Sequence, residues 1–247
     1  MAGRSFKTEA IVLRSIRFGE ADRILHLYSR QRGRIGAIAK GVRRPRSRFG
    51  GRLEPFFRLD LVLYQGRGEL TTVTSAATLD GYPRLRSRGP ALAAAARACD
   101  AVLRLLDAAD PNPAAYHLLG HYLALLDATA ARGRGEGDRD PALAAALSFR
   151  LKLALAAGFA PELASCARCG EADHLAGFSG AAGGIVCASC ERGSFALGVE
   201  AHEFMLSALA SSLAQAPSAP EPALRQVERA IGETLEHHAH VRLRAAA

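Results

Sequence analysis

Two cysteine pairs carry the sharpest chemical signal in the sequence. Cys166-Ala167-Arg168-Cys169 and Cys187-Ala188-Ser189-Cys190 both have the C-x2-C form, and 17 residues separate them. Each pair folds as a tight knuckle that turns two sulfurs toward one ion, and Gly170, directly after the first pair, eases the turn. This spacing is that of a four-thiolate zinc site. With all four positions taken by Cys166, Cys169, Cys187 and Cys190, no place is left for water or substrate, so the expected Zn2+ is structural and not catalytic. Redox or iron–sulfur chemistry is the competing reading, and His174, between the knuckles, could replace one cysteine. Cys99 falls on an apolar helical face and reads as a core residue.

The second signal is positive charge. Ala39 to Arg52, AKGVRRPRSRFGGR, holds Lys40, Arg43, Arg44, Arg46, Arg48 and Arg52 and no acidic residue. Alternating apolar runs precede and follow it, and Pro45, Gly50 and Gly51 keep it irregular, so it reads as a connection between two strands. Such a loop repels itself unless something anionic covers it. The natural partner is a phosphate backbone, because each bound phosphate releases condensed counterions. A solvated loop without a ligand is the bland alternative. Net charge favours the first reading. Residues 1–90 carry 19 Lys/Arg against 7 Asp/Glu, and the remainder carries 13 against 17, so the excess of +8 lies wholly in the first third. Arg23 and Arg34 stand near the loop in sequence and join the candidate nucleic-acid-binding residues. Phe18 and Phe49 adjoin basic or glycine residues; they either stack on bases, worth ~1–3 kcal/mol each, or pack at the rim of the fold.

Other chemistries lack their residues. Lys40-Gly41 reverses the order a phosphate-binding P-loop needs, and Gly66-Arg67-Gly68 lacks the third glycine of a dinucleotide fingerprint. His202-Glu203 has no second histidine at metalloprotease spacing, and Gly177 and Ser179 are followed by Ala181 where a nucleophile elbow needs glycine. Acidic residues in the basic third are sparse and separated, which disfavours a two-metal nuclease. The expectation is a protein that is not an enzyme. Met1 to Ala10 holds Arg4, Lys7 and Glu9 and no apolar segment, and no stretch approaches ~18 uninterrupted apolar residues. A cytoplasmic, nucleoid-associated protein with no membrane partner is therefore expected, with thiols or a metal in place of disulfides.

These residues need a scaffold. Alternation predicts five strands between residues 6 and 79: Glu9 to Arg17, Asp22 to Ser29, Arg34 to Lys40, Phe56 to Tyr64 and Leu70 to Ser75. Five short strands in so few residues suggest a small closed barrel of the OB type. From Pro83 the sequence turns Ala- and Leu-rich with helical spacing. Leu92, Ala95, Cys99, Val102 and Leu106 share one face, and Tyr116, Leu119, Leu123 and Leu126 mark a second helix after Pro111-Asn112-Pro113. Arg132 to Arg139 reads as a polar loop, Asp140-Pro141 as the start of a third helix and Gly158 as its end. Two more helices, about Val199 to Ala214 and Glu221 to Arg244, follow the cysteines. The fold class is thus α+β and multidomain. An N-terminal OB-fold β-barrel over 1–81 precedes a C-terminal α-helical domain over 82–247, with an inserted four-cysteine zinc module at about 162–194.

Taken jointly these stretches resemble the bacterial recombination mediator family RecO. The resemblance rests on Glu9-Ala10-Ile11-Val12-Leu13-Arg14, on Gly19 to Ile24, on Ala39 to Arg44, and on Ser47-Arg48-Phe49-Gly50 with Leu53-Glu54-Pro55-Phe56. Phe149 to Leu163, leading into Cys166, adds to it; Pro83 to Pro141 agrees only in helical character. The resemblance implies binding of single- and double-stranded DNA and annealing of complementary strands. It also implies work with RecR and with single-stranded DNA-binding protein (SSB) to load the recombinase RecA. Two rival readings stand beside it. One is an RNA-binding, ribosome-associated OB protein; the other is a scaffold whose basic face reads acidic peptides.

Overall fold

The computed structural model describes residues 3–106, 110–130 and 141–246. The chain forms two compact units, Met1–Ala131 and Arg132–Ala247. The Arg132 to Arg139 loop and the Asp140 cap lie outside the described residues.

The first unit is built on five strands: β1 (Arg4–Phe18), β2 (Asp22–Ser29), β3 (Gly33–Ala39), β4 (Arg58–Gln65) and β5 (Thr71–Asp80). They close into a barrel in the order β1-β2-β3-β5-β4, the five-stranded OB architecture. Closure depends on β1 being long enough to serve two neighbours. Arg4 to Ile11 pairs with β4, Ala10 to Phe18 pairs with β2, and a bulge between Val12 and Arg14 turns the strand from one to the other. The seam between β3 and β5 is short and parallel, Ala37 against Thr71 and Ile38 against Thr72. Alternation then decides which side chains enter. Leu59, Leu61 and Leu63 are wholly buried, with Ala10, Val12, Leu25, Leu27, Ala37, Ala39 and Val73. The buried hydroxyls of Thr8 and Ser29 satisfy each other at 2.6 Å.

Helices α1 (Pro83–Ser87), α2 (Gly89–Leu105) and α3 (Pro113–Thr129) complete this unit. The helical region therefore begins at Pro83 itself, earlier than the Ala-rich run suggests. On α2, Ala95, Cys99 and Val102 are buried and Leu106 follows them inward, while Leu92 is 39% exposed. On α3 the predicted Tyr116, Leu119, Leu123 and Leu126 are all buried. Asn112 caps α3, accepting from Ala115 N at 2.9 Å, and Pro113 opens it.

In the second unit, α4 (Pro141–Ala156) is buried on nearly every side through Leu147, Phe149, Leu151, Leu153 and their neighbours. An apolar helix of this kind sits at the centre of its fold, and α5 (Val199–Ala210) and α6 (Glu221–His238) pack on it and on each other. Both end sooner than the sequence pattern suggests. A short 3-10 turn, Leu213–Gln215, replaces the end of α5. Beyond α6, His240 turns left-handed at φ 54°, and the chain folds back so that buried Arg150 donates to the Arg244 carbonyl and pairs with Glu228 at 3.1 Å. Between α4 and α5 lies a small sheet of β6 (Leu175–Ser179), β7 (Gly184–Cys187) and β8 (Phe195–Ala196), in the order β7-β6-β8. Among the described residues no helix is long and apolar enough to cross a membrane.

Gly158 ends α4 as expected. Its φ is 82°, its N–H donates to Leu155 O at 3.1 Å, and the next N–H, of Phe159, donates to Ala154 O at 2.8 Å. This is the Schellman arrangement. A Cβ at Gly158 would meet nothing within 4 Å, so backbone strain alone opposes a side chain. Gly158→Ala should therefore destabilise the second unit by about 1–2 kcal/mol, and a denaturant midpoint equal to that of the wild type would refute this.

Candidate nucleic-acid interface and cysteine centre

The basic stretch leaves β3 at Ala39 and returns at β4. Its backbone is a run of tight turns: Arg44 N to Gly41 O at 3.1 Å, Ser47 N to Arg44 O at 3.0 Å, Gly50 N to Ser47 O at 3.3 Å and Arg52 N to Phe49 O at 3.0 Å. Gly41, Gly50 and Gly51 supply left-handed φ values of 65°, 52° and 79°. The start is tied to the β1–β2 hairpin, with Gly41 N donating to Asp22 Oδ1 at 2.7 Å and Arg43 N to Ala21 O at 2.9 Å. The middle is tied to the barrel interior by Phe49 and Leu53, which are 2% and 1% exposed within the barrel core. So the loop is not a free arm. Its apolar residues are plugs, and the arginines between them are held outward.

Lys40, Arg43, Arg44, Arg46, Arg48 and Arg52 are all exposed. Among the described residues no carboxylate lies within ion-pair distance of any of the six. Arg48 lies over the Phe49 ring at 4.9 Å, and Arg52 Nη1 donates to the Arg48 carbonyl at 3.2 Å. Arg23 and Arg34 are placed differently. Arg23 pairs with Glu54 at 2.8 Å and donates to Ser15 Oγ at 3.1 Å, at the mouth of the barrel. Arg34 donates to the Leu103 carbonyl at the end of α2. Of the two aromatic candidates, Phe49 is core and Phe18 is 50% exposed at the hairpin tip. The outer face of the barrel also carries Arg14, which sequence reasoning did not single out. The available signal was the period of two along β1.

In the second unit the four sulfurs of Cys166, Cys169, Cys187 and Cys190 lie within 4.8 Å of one another. The Cys169 and Cys187 sulfurs are 3.7 Å apart, far beyond a disulfide bond. Four thiolates placed tetrahedrally at ~2.3 Å from one ion stand roughly 3.8 Å apart, so the donor set fits a metal once its sulfurs close up by about 1 Å or less. The knuckle geometry comes from the backbone. Gly170, at φ 77°, lets its N–H return to Cys166 O at 2.8 Å, and Cys166 N donates to Glu171 O at 2.7 Å. The second knuckle follows directly from β7 and is joined to the first through Ala167 N to Ile185 O at 2.8 Å. Burial raises the Cys166 thiol, but hydrogen bonds from the backbone at Cys187, Cys169 and Arg168 outweigh it and bring the thiol down to about 6. Backbone donors aimed at sulfur favour the thiolate form that binds metals. His174 is exposed and stands outside the cluster. Buried Cys99, its thiol pushed up by desolvation, is a core residue.

A family model described as Recombination protein O N terminal matches residues 1–82, and one described as Recombination protein O C terminal matches residues 86–246. The chain belongs to the RecO family of DNA repair proteins. Relatives named DNA repair protein RecO agree. That of Rubrobacter xylanophilus is 42% identical over 187 residues, covering 75% of this chain and 71% of its own. That of Cutibacterium acnes is 39% identical over 189 residues, covering 76% and 74%. That of Anaeromyxobacter sp. strain K is 34% identical over 247 residues, covering 97% and 93%. The RecO resemblance read from the N-terminal stretches and from Phe149 to Leu163 is thereby borne out, as is an OB-like barrel followed by a helical region with clustered cysteines.

Proposed function

We propose that the protein is a DNA-binding recombination mediator. It anneals complementary strands and, with RecR, helps load RecA onto single strands coated with SSB. The observation that carries this reading is the loop of six exposed cations, with no carboxylate partner among the described residues, braced on an OB barrel in a RecO-family chain. Two complementary strands repel through their phosphates. A rigid cationic surface holds both and lowers that repulsion, and base pairing then supplies the driving force. Phosphate contacts fix position and carry no base code, so annealing should be indifferent to sequence.

On this reading residues 1–81 are the nucleic-acid module, and residues 82–247 carry the helices with a zinc module at about 162–194. Zn2+ held by Cys166, Cys169, Cys187 and Cys190 supplies folding energy there and takes no part in a reaction. The protein acts in the cytoplasm, on the nucleoid, and is not an enzyme. No P-loop supports nucleotide hydrolysis. The test is annealing of SSB-coated complementary oligonucleotides. It should proceed without ATP and without magnesium-dependent cleavage, and single-stranded DNA should outcompete RNA of the same sequence. A requirement for ATP hydrolysis by this chain alone, or a preference for RNA, would overturn the reading.

A further inference from the structure

We propose that Ser47 and Ser87 are phosphorylation sites for an arginine-directed serine kinase, and that phosphate on Ser47 weakens DNA binding by the basic loop. The sites stand on the two segments that hold them; the effect on DNA rests on the functional reading above.

One pattern occurs twice. Arg44-Pro45-Arg46-Ser47-Arg48 and Arg84-Leu85-Arg86-Ser87-Arg88 share the form Arg-x-Arg-Ser-Arg. Among all serines and threonines of the chain, these two alone have arginine three residues before them. The first segment is a run of turns and the second is α1 with its exit, so a shared local fold does not account for the shared pattern. In each, the arginine and the serine close one turn. Ser47 N donates to the Arg44 carbonyl at 3.0 Å, and Ser87 Oγ donates to the Arg84 carbonyl at 2.8 Å. The first and fourth residues of a turn lie within ~7 Å of each other, so guanidinium and hydroxyl meet a partner together.

Both hydroxyls are within reach of solvent. Ser87 is exposed. Ser47 is half-buried; its Oγ accepts from Phe49 N at 3.3 Å, and no acceptor among the described residues takes its O–H. Arg44, Arg46, Arg48, Arg84 and Arg88 are exposed, and none has a carboxylate within ion-pair distance among the described residues. Arg86 donates to the Pro55 carbonyl at 2.9 Å and lies over the Phe57 ring at 4.6 Å, so α1 abuts the exit of the basic loop. An acidic cleft that carries ATP complements such a surface. DNA answers the charge too, but it has no use for a hydroxyl at fixed spacing. In the transfer Ser47 Oγ attacks the γ-phosphorus of ATP, the bond to the bridging oxygen breaks, ADP leaves, and the hydroxyl proton passes to a carboxylate of the kinase. The phosphoserine brings about −1.5 to −2 of charge into a loop of cations at neutral pH. Arg44 and Arg48, on either side of it, then hold a phosphate of their own chain in place of one from DNA.

The test has two readouts on the full chain. Phosphopeptide mapping of the protein isolated from its native cells, growing and DNA-damaged, should find phosphate on Ser47 and Ser87. Purified protein given ATP and the catalytic subunit of cyclic-AMP-dependent protein kinase, an arginine-directed probe, should take phosphate at the same two serines. S47A/S87A should take none, and R43A/R44A/R46A/R48A should take it at Ser87 alone. Fluorescence anisotropy on a single-stranded oligonucleotide reads the consequence. The salt slope should fall by ~1.4 in the phosphoprotein, at ~0.7 per neutralised cation, and return on phosphatase treatment. Ser47→Asp adds one charge, keeps an acceptor for Phe49 N and should lower the slope by ~0.7. Should that variant unfold, the phosphoprotein and its phosphatase-treated form share one sequence and carry the comparison. Native protein without phosphate on either serine overturns the proposal. So does a phosphoprotein with the wild-type slope when R43A/R44A/R46A/R48A loses slope, since the loop would then bind DNA untouched by the modification. If that quadruple variant keeps the wild-type slope as well, the loop fails as a DNA contact, and phosphate mapped to both serines still establishes the sites.

Discussion

Elemental analysis of the purified protein should return one zinc per chain, and Cys187→Ser should lose it. The expectation follows from a donor set that is already gathered, with all four sulfurs within 4.8 Å of one another and backbone N–H groups directed at Cys166. Structural zinc in isolated fingers is worth roughly 10–16 kcal/mol in apparent terms. The loss here should be smaller, because α4, α5 and α6 bury a core of their own that needs no metal. Even a loss of ~2 kcal/mol would lower the melting temperature of a unit this size by roughly 10 °C. The damage should be local: hydrogen exchange should rise in β6, β7 and the two knuckles and stay unchanged in the barrel. Cys166, Val186 and Cys187 form the small cluster against which the knuckles pack, so the serine variant loses both a ligand and a core contact. Cys169→Ser separates the two effects, since Cys169 is exposed and only ligation is at stake. Iron in place of zinc, or full metal retention in both variants, would sink the assignment.

What the sequence made legible tracks how local the deciding physics is. The cysteine spacing is a property of two short turns, and the structure brings those four residues together. The alternation of Leu59, Leu61 and Leu63 is likewise local, and all three are buried. The small sheet of β6 to β8 was not foreseen; its strands are short, and two glycines, Gly177 and Gly184, blur their alternation. Gly184 is there because the Glu162 backbone passes against it, where a Cβ would lie 2.3 Å from the Glu162 carbonyl, a contact no local pattern reveals. The early end of α6 comes at the left-handed turn of His240, which no helix-breaking residue announces, and Arg150 then holds the returning tail through Arg244. The placement of Arg23 was within reach. It lies two residues before Leu25 on a predicted strand, so alternation puts it on the inward side, where Glu54 takes its charge.

Replacing Arg43, Arg44, Arg46 and Arg48 with Ala should weaken DNA binding through its salt dependence and leave the fold intact. If each arginine contacts one phosphate, the slope of log affinity against log salt should fall in magnitude by ~2.8 for single strands and ~3.6 for duplex. Over a fourfold rise in salt, wild-type affinity for single strands would then drop roughly 50-fold more than that of the variant. The loss should be similar across sequences, and annealing should fall with it, because the same charges screen the two strands. Stability should hardly change, since the four side chains are exposed and have no carboxylate partner among the described residues. Phe49 supplies the contrast within the same loop. It is 2% exposed in the barrel core, so Phe49→Ala should cost about 3–5 kcal/mol and loosen the loop that displays the arginines. Its binding defect should therefore appear with a fall in melting temperature, whereas that of the arginine variant should appear without one. A quadruple variant with the wild-type salt slope would make the loop a solvated bystander. One that unfolds would show that the arginines hold the loop on the barrel, a role that the exposed positions and the Phe49 and Leu53 plugs argue against.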